Sequence, residues 1–160
     1  MLNKIISGGQ TGVDRAALDA ALAASFPCGG WCPEDRRAED GILSERYPLT
    51  PLPGGGYAER TRKNLMEAEG TVVIYFGDLE GGTELTAYLC MKNSRPYKLI
   101  DGDEVPVERA IQLLAQFVRE RKLAVLNVAG PRASSRPQGY AYTRAVIAGL
   151  LVRLSRSLPT

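Results

Sequence analysis

Glycines and polar side chains are concentrated in a short segment near the N-terminus, "SGGQTGVDRAALDAAL" (7–22). An apolar run, "NKIIS" (3–7), precedes it, and the alanines that follow recur at helical spacing. The segment therefore predicts a strand, a tight loop and the start of a helix. A helix N-terminus at the carboxyl end of a parallel strand presents free N–H groups and partial positive charge, which suits an anion.

The residues that we expect to contact this anion are those of the loop and the first helical turn: Ser7, Gly8, Gly9, Gln10, Thr11, Gly12 and Asp14. The loop is not a P-loop, because only three residues separate Gly8 from Gly12 and no lysine follows. It also departs from the dinucleotide-binding fingerprint, since Ser7 stands where the first glycine would be. A tight turn that binds nothing is the alternative interpretation.

Two further loops follow apolar runs in the same way. "GDLEGGTELT" (77–86) comes after "TVVIYF", and "AGPRASSRPQGY" (129–140) comes after "LAVLNV". The first contributes Gly81, Gly82 and Thr83, and the second contributes Gly130, Arg132 and Ser134. Arginine, hydroxyl and glycine N–H groups are suited to phosphate or carboxylate, although an exposed turn before a helix explains the last loop equally well.

The amino-acid composition restricts which metal sites and which nucleophilic mechanisms the chain can form. The chain has no histidine and three cysteines, so it cannot fill a four-ligand zinc site or form a Ser-His-Asp or Cys-His mechanism. In "RRAEDG" (36–41), Glu39 and Asp40 offer hard oxygen ligands for magnesium or a ribose. A surface ion-pair cluster is the competing interpretation of these two carboxylates.

Strand and helix patterns alternate along the rest of the chain. Apolar strands are predicted at 3–7, 71–76, 97–100 and 123–128, with a weaker one at 27–32, and helices at 58–69, 83–93, 107–122 and 142–156. This alternation predicts one α/β domain over 1–160, with a doubly wound, mainly parallel sheet of about five strands between two helical layers.

The segment 33–57 shows neither strand nor helix periodicity, and a loop of that length is usually functional or disordered. We favour a functional loop because it contains apolar residues that could anchor it: Ile42, Leu43, Tyr47, Leu49 and Leu52.

Net charge and hydropathy restrict the partners. A formal charge of +2 is too small to indicate attraction to nucleic acid, and no apolar run is long enough to span a membrane. The N-terminus lacks the apolar stretch of a secretory signal. We expect a cytoplasmic protein that binds a small ligand and has no nucleic-acid or membrane partner.

Several of these motifs resemble known families. "RTRKNLMEAEGTVVIYFGDLEGGTELT" (60–86) resembles the helix, strand and glycine loop of the LOG phosphoribohydrolases, which belong to the SLOG superfamily. Over nearly the whole chain, "SGGQTGVDRAALD", "GGWCPEDRRAEDG", "YPL", "RTRKN", "GGTELT" and "NVAGPRAS" look like the putative molybdenum carrier family of the same superfamily. The resemblance implies a Rossmann-like fold that binds a nucleotide or a nucleotide-like phosphorylated compound such as molybdenum cofactor.

By position, the resemblance to the LOG enzymes makes Arg62 and Glu84 the counterparts of their catalytic residues for N-glycosidic cleavage, with Lys63 beside the phosphate. The loop "EGGTELT" departs from the enzyme motif, because it lacks the third glycine and the doubled glutamate. We therefore favour a binding protein or carrier. A nucleotide N-glycoside hydrolase or a nucleotide-sensing regulatory domain is the alternative, and the alanine-rich helices favour a homo-oligomer.

Overall fold

The computed structural model describes residues 1–157. Within them, the helices are α1 (Val13–Ala23), α2 (Tyr57–Glu67), α3 (Gly81–Lys92), α4 (Val107–Glu120) and α5 (Gly139–Arg156). The strands are β1 (Lys4–Ile6), β2 (Cys28–Gly29), β3 (Trp31–Pro33), β4 (Arg37–Ala38), β5 (Gly41–Ile42), β6 (Thr50–Leu52), β7 (Gly70–Tyr75), β8 (Tyr97–Asp101) and β9 (Val125–Ala129).

Five of these strands form the central sheet, in the order β2-β1-β9-β7-β8, and every neighbouring pair is parallel. Ile5 of β1 lies opposite both Cys28 and Leu126, and Val72 of β7 lies opposite Lys98 and Val128. The predicted doubly wound, parallel sheet is therefore confirmed.

Helices cover both faces of this sheet. α1, α4 and α5 pack together on one face, and α2 and α3 pack on the other. The central strands are buried on both sides, and for this reason "TVVIYF" appears in the sequence as a continuous apolar run and not as an alternation. The result is the expected Rossmann-like α/β sandwich.

Two predictions of local structure were wrong. The weak strand at 27–32 is two strands, because the chain changes direction at Gly30, which has a φ of 126°. There β2 pairs with β1 in the central sheet, whereas β3 pairs with β6 in a separate two-stranded sheet. The segment 33–57 was expected to contain no strands, yet it contains β4, β5 and β6.

Three of the five apolar residues of 33–57 anchor it as expected, and the exceptions are Ile42 and Leu52, which is half-buried outside the cluster. Leu43, Tyr47 and Leu49 are buried in a small cluster that includes Leu18 of α1. Ile42 does not join them: it lies on β5 of the short β4–β5 hairpin and remains 71% exposed.

Polar contacts hold the same segment. The guanidinium of Arg36 donates to the carbonyl oxygens of Ser44 and Leu49, each at 3.0 Å. The hydroxyl of Tyr47 donates to Asp19 of α1 at 2.7 Å, and burial together with this bond raises the pKa of Tyr47 to about 12.

Across residues 1–157, every helix is too short or too polar to cross a membrane.

Candidate functional site

A cavity of about 550 Å³ opens at the carboxyl ends of β1, β9 and β7. The loops that follow these three strands form most of its wall, and one face of α2 closes the remaining side. Its lining residues are Gly8, Gln10, Asp14, Tyr57, Arg60, Thr61, Asn64, Glu80, Gly81, Gly82, Thr83, Thr86, Asn127, Val128, Ala129, Gly130, Pro131, Arg132 and Ser135. This volume is typical of a small-molecule site, for which roughly 300–1,000 Å³ is usual.

The strand order explains why the cavity lies here. From β1 the chain moves outward to β2 at one edge of the sheet, and from β7 it moves outward to β8 at the other. Where the connections diverge in opposite directions, the loops at the strand ends separate and leave a crevice. The three glycine-containing loops singled out in the sequence meet in this crevice.

The contribution of α2 was not foreseen in detail. Tyr57, Arg60, Thr61 and Asn64 line the cavity and occupy positions i, i+3, i+4 and i+7 of the helix, so they share one face. Asn64 fixes this face against β3, because its side-chain amide accepts from the N–H of Trp31 at 2.8 Å and donates to the Trp31 carbonyl at 2.9 Å.

Arg60 is a buried cation at the centre of the site. Its side chain is only 10% exposed, and its Nη1 lies 3.1 Å from Oδ2 of Asp14. Its Nε is buried and has no hydrogen-bond partner among the described residues. Arg60 therefore lines the cavity with its Nη1 paired to Asp14 and its Nε without a hydrogen-bond partner among the described residues.

Asp14 partners Arg60 from the first turn of α1. Burial raises the pKa of the Asp14 carboxyl, and the neighbouring charge of Arg60 opposes this rise. The same carboxylate accepts a hydrogen bond from the N–H of Gln10 at 3.3 Å. Asp14 therefore acts as an internal anion for the N-terminus of its own helix.

The first glycine loop, where we expected an external anion, is largely occupied by protein groups. The N–H of Val13 donates to the carbonyl of Pro131, and that of Arg15 donates to the carbonyl of Gln10. A Cβ on Gly8 would lie 1.4 Å from Nη1 of Arg60. Gly8 is thus required by the buried arginine.

The second glycine loop is open. A Cβ on Gly81 or Gly82 would meet nothing within 4 Å. Among the described residues, the backbone N–H groups of Gly81, Gly82 and Thr83 donate to no other backbone group, as is usual in a first helical turn. The N-terminus of α3 therefore offers free donors to the cavity.

The remaining residues predicted in the first loop hold the walls together. Ser7 is fully buried and donates to the carbonyl of Asp14 at 2.9 Å. A Cβ on Gly9 would overlap Leu49, and one on Gly12 would overlap the backbone of Pro131. None of these three lines the cavity.

Hydrogen bonds join three loops through the side chains of Thr11, Glu39 and Ser134, which we call the Glu39 cluster. The Thr11 hydroxyl donates to Oε1 of Glu39, and the Ser134 hydroxyl donates to Oε2 at 2.6 Å. Glu39 also accepts the N–H of Ser134 at 3.1 Å. The Ser134 hydroxyl, followed by that of Thr11, lowers the pKa of the Glu39 carboxyl.

The two carboxylates considered for magnesium are both engaged by protein groups. Asp40 forms a two-pronged ion pair with Arg15, at 2.9 and 3.1 Å, which lowers the pKa of the Asp40 carboxyl. Glu39 belongs to the Glu39 cluster described above. Over residues 1–157, no cluster of three or more Cys, Asp or Glu side chains could hold a metal ion.

The residues carried over from the LOG enzymes lie outside the cavity wall. Arg62 and Glu84 are exposed, on α2 and α3 respectively, and neither lines the cavity. Lys63 lies 3.5 Å from Glu67 and 5.1 Å from the ring centre of Trp31. The arginine of this helix that lines the cavity is Arg60, two positions earlier.

The third loop lines part of the cavity and also forms an ion pair with the second loop. Gly130 and Arg132, which we predicted to contact a ligand, line the cavity. A Cβ on Gly130 would lie 2.5 Å from the carbonyl oxygen of Ile74, so this glycine allows the close approach of β9 and β7. Arg136 forms an ion pair with Glu80 at 2.9 Å and so links the third loop to the second.

Comparison with known proteins identifies the family of this chain and a solved structure of the same fold. The family model described as the circularly permutated YpsA SLOG family matches residues 5–151. The chain is 41% identical to a putative molybdenum carrier protein from Syntrophus aciditrophicus SB, whose crystal structure superposes with a TM-score of 0.91. That match covers 94% of this chain and 95% of the other. No curated protein matches the chain.

Proposed function

Because the chain belongs to the circularly permutated YpsA SLOG family, we propose that its cleft binds a phosphorylated, nucleotide-like ligand. In this proposal the protein acts as a binding protein or carrier for that ligand. The similar structure from Syntrophus aciditrophicus, a putative molybdenum carrier protein, makes molybdenum cofactor a candidate ligand.

The unpartnered Nε of Arg60 is the observation that carries the proposal. A buried polar group without a hydrogen bond is costly, and such groups in a native protein usually have a partner that is a ligand, an ion or water. A planar guanidinium in a cavity wall can donate two parallel hydrogen bonds to the charged oxygens of a phosphate group. Asp14 pairs with Nη1 and leaves the rest of the guanidinium, in a residue that lines the cavity, for such an acceptor.

The open N-terminus of α3 supports the same ligand chemistry. Gly81 and Gly82 line the cavity with empty space in front of their α-carbons, so an oxyanion can approach their backbone N–H groups. Arg132, at the opposite loop, adds a second cation to the wall. We therefore place the phosphate between α3 and Arg60.

The donor set fits a phosphate or another oxyanion better than a directly coordinated metal. The three cysteines, Cys28, Cys32 and Cys90, are absent from the cavity wall, and burial raises the pKa of each thiol. Soft thiolate ligands are thus missing from the site. If molybdenum is carried, we expect the protein to hold the phosphate and the organic part of the cofactor.

No observation favours hydrolysis of an N-glycosidic bond. Glu84, which would be the essential carboxylate, is exposed and lies outside the cavity wall. The two carboxylates that line the cavity, Asp14 and Glu80, are paired with Arg60 and Arg136 respectively. A carrier or binding role requires no further group.

Identification of the natural ligand tests the proposal. Protein purified from its native cells would be denatured, the released small molecules identified by mass spectrometry, and molybdenum measured in the same sample. A phosphorylated pterin, with or without molybdenum, or a nucleotide would support the proposal. Repeated preparations that release no phosphorylated compound, combined with no binding of phosphorylated probes, would refute it.

A further inference from the structure

Tyr57 is an exposed aromatic residue inside a concave site. It is the first residue of α2, it lines the cavity, and it remains 44% exposed. Among the lining residues that the structure describes, it is the one aromatic side chain. A partly exposed ring in a cavity wall is accessible to a ligand that enters the cavity.

The ring is held in place by its neighbours. The guanidinium carbon of Arg60 lies 5.6 Å from the ring centre, which is within range of a cation–π contact. Arg60 is in turn fixed by Asp14. The Tyr57 carbonyl accepts a hydrogen bond from the Thr61 hydroxyl at 2.8 Å, which secures the first turn of the helix.

Tyr57 and the phosphate donors therefore lie in one cavity. Arg60 contacts the ring and is also the buried cation that we assign to the phosphate, so it lies next to both groups. A ligand with a flat ring and one phosphate group could contact the tyrosine with the ring while its phosphate reaches Arg60 and α3. Aromatic side chains stack on the flat faces of nucleic-acid bases, whichever base is present.

We infer that Tyr57 is the platform for a planar heteroaromatic ring and that the site selects ring-bearing monophosphates over phosphorylated sugars. The ligand class is thus a nucleoside monophosphate or a phosphorylated pterin. The inference rests on the proposed phosphate-binding function, and it adds the residue that recognises the rest of the ligand.

Calorimetric titration of the full chain with two probes tests this assignment. Adenosine 5′-monophosphate has both a ring and a phosphate, whereas ribose 5-phosphate has the phosphate without the ring. We expect the nucleotide to bind at least about tenfold more tightly, because base–aromatic stacking commonly contributes about that much. Tyr57→Ala should remove this preference, and Tyr57→Phe should keep it.

Tyr88→Ala is the matched control. Tyr88 is also an exposed helical tyrosine, at 52%, but it lies outside the cavity wall. Its substitution should leave both affinities unchanged. The inference is overturned if the two probes bind equally well to the unmodified protein, or if Tyr57→Ala keeps the preference for the nucleotide. If neither probe binds and the purified protein releases no phosphorylated compound, the proposed function fails as well, and the two failures are thereby distinguished.

Discussion

The guanidinium of Arg60 lies directly over the α-carbon of Gly8, so close that a Cβ at that position would be 1.4 Å from Nη1. Gly8 does not have a positive φ, and its backbone conformation is open to other residues. The glycine is thus needed for space. This close approach puts a side chain of α2 where other Rossmann-like proteins place a ligand phosphate.

Gly8→Ala should therefore destabilise the protein by displacing Arg60 from Asp14. We expect a loss of about 1–3 kcal/mol in the free energy of unfolding, as is usual for overpacking of a buried site, together with weaker phosphate binding. Urea denaturation would measure the first effect and calorimetry the second.

Gly82→Ala provides the contrast, because a Cβ there would meet nothing within 4 Å. It should leave the free energy of unfolding nearly unchanged, yet weaken binding by narrowing the cavity. Equal stability of Gly8→Ala and the unmodified protein would show that Arg60 moves aside without cost.

The Glu39 cluster should make the free energy of unfolding depend on pH. The pKa of Glu39 is lower in the folded protein than its ordinary value of 4.5, so its stabilising effect is present above that pH and is lost as the pH falls below it. We expect Glu39→Gln to be less stable than the unmodified protein by roughly 1 kcal/mol at neutral pH. The difference should shrink below pH 4.5, as urea denaturation at both pH values would show.

Glu45→Gln is the matched control for Glu39→Gln. Glu45 lies in the same segment and is exposed, so its substitution should change stability at neither pH. A constant difference between Glu39→Gln and the unmodified protein at all pH values would contradict a role for the ionised carboxylate.

The Glu80–Arg136 ion pair should influence anion affinity through charge. Glu80 lines the cavity, so Glu80→Gln should strengthen phosphate binding about two- to threefold at low salt, and Arg136→Gln should weaken it by a similar factor. Both effects should diminish at high salt because of screening. Weaker binding by Glu80→Gln would indicate instead that this carboxylate orders the loop.

The fold was largely predictable because the strands and helices that form it are strongly patterned. The buried run of β7 and the helical spacing of α1 and α4 required no knowledge of tertiary contacts. The strands of 33–57 were missed because each has only two or three residues. β6 pairs with the more distant β3, which no local pattern encodes, whereas β4 and β5 pair with each other in a short hairpin.

The sequence predicted where in the fold the site lies, but it predicted the individual residues of the site less well. The glycines at 8, 81, 82 and 130 indicated where the three loops meet. Arg60 was missed because the family motif directed attention to Arg62, and polar residues on a helix ordinarily indicate a solvated face. The recurrence of Tyr57, Arg60 and Asn64 on one face was a signal that could have identified the wall.

The measurement that tests the central claim most directly is phosphate-probe binding by variants at Arg60 and Arg62. Asp14→Asn combined with Arg60→Gln removes both buried charges together, so it avoids leaving either one unpaired. Arg62→Gln is the matched control on the same helix, exposed and outside the cavity wall. With adenosine 5′-monophosphate as the probe, we predict at least about tenfold weaker binding by the double variant and unchanged binding by Arg62→Gln. Undiminished binding by the folded double variant, or a loss confined to Arg62→Gln, would contradict the assignment of Arg60 as the phosphate-binding cation.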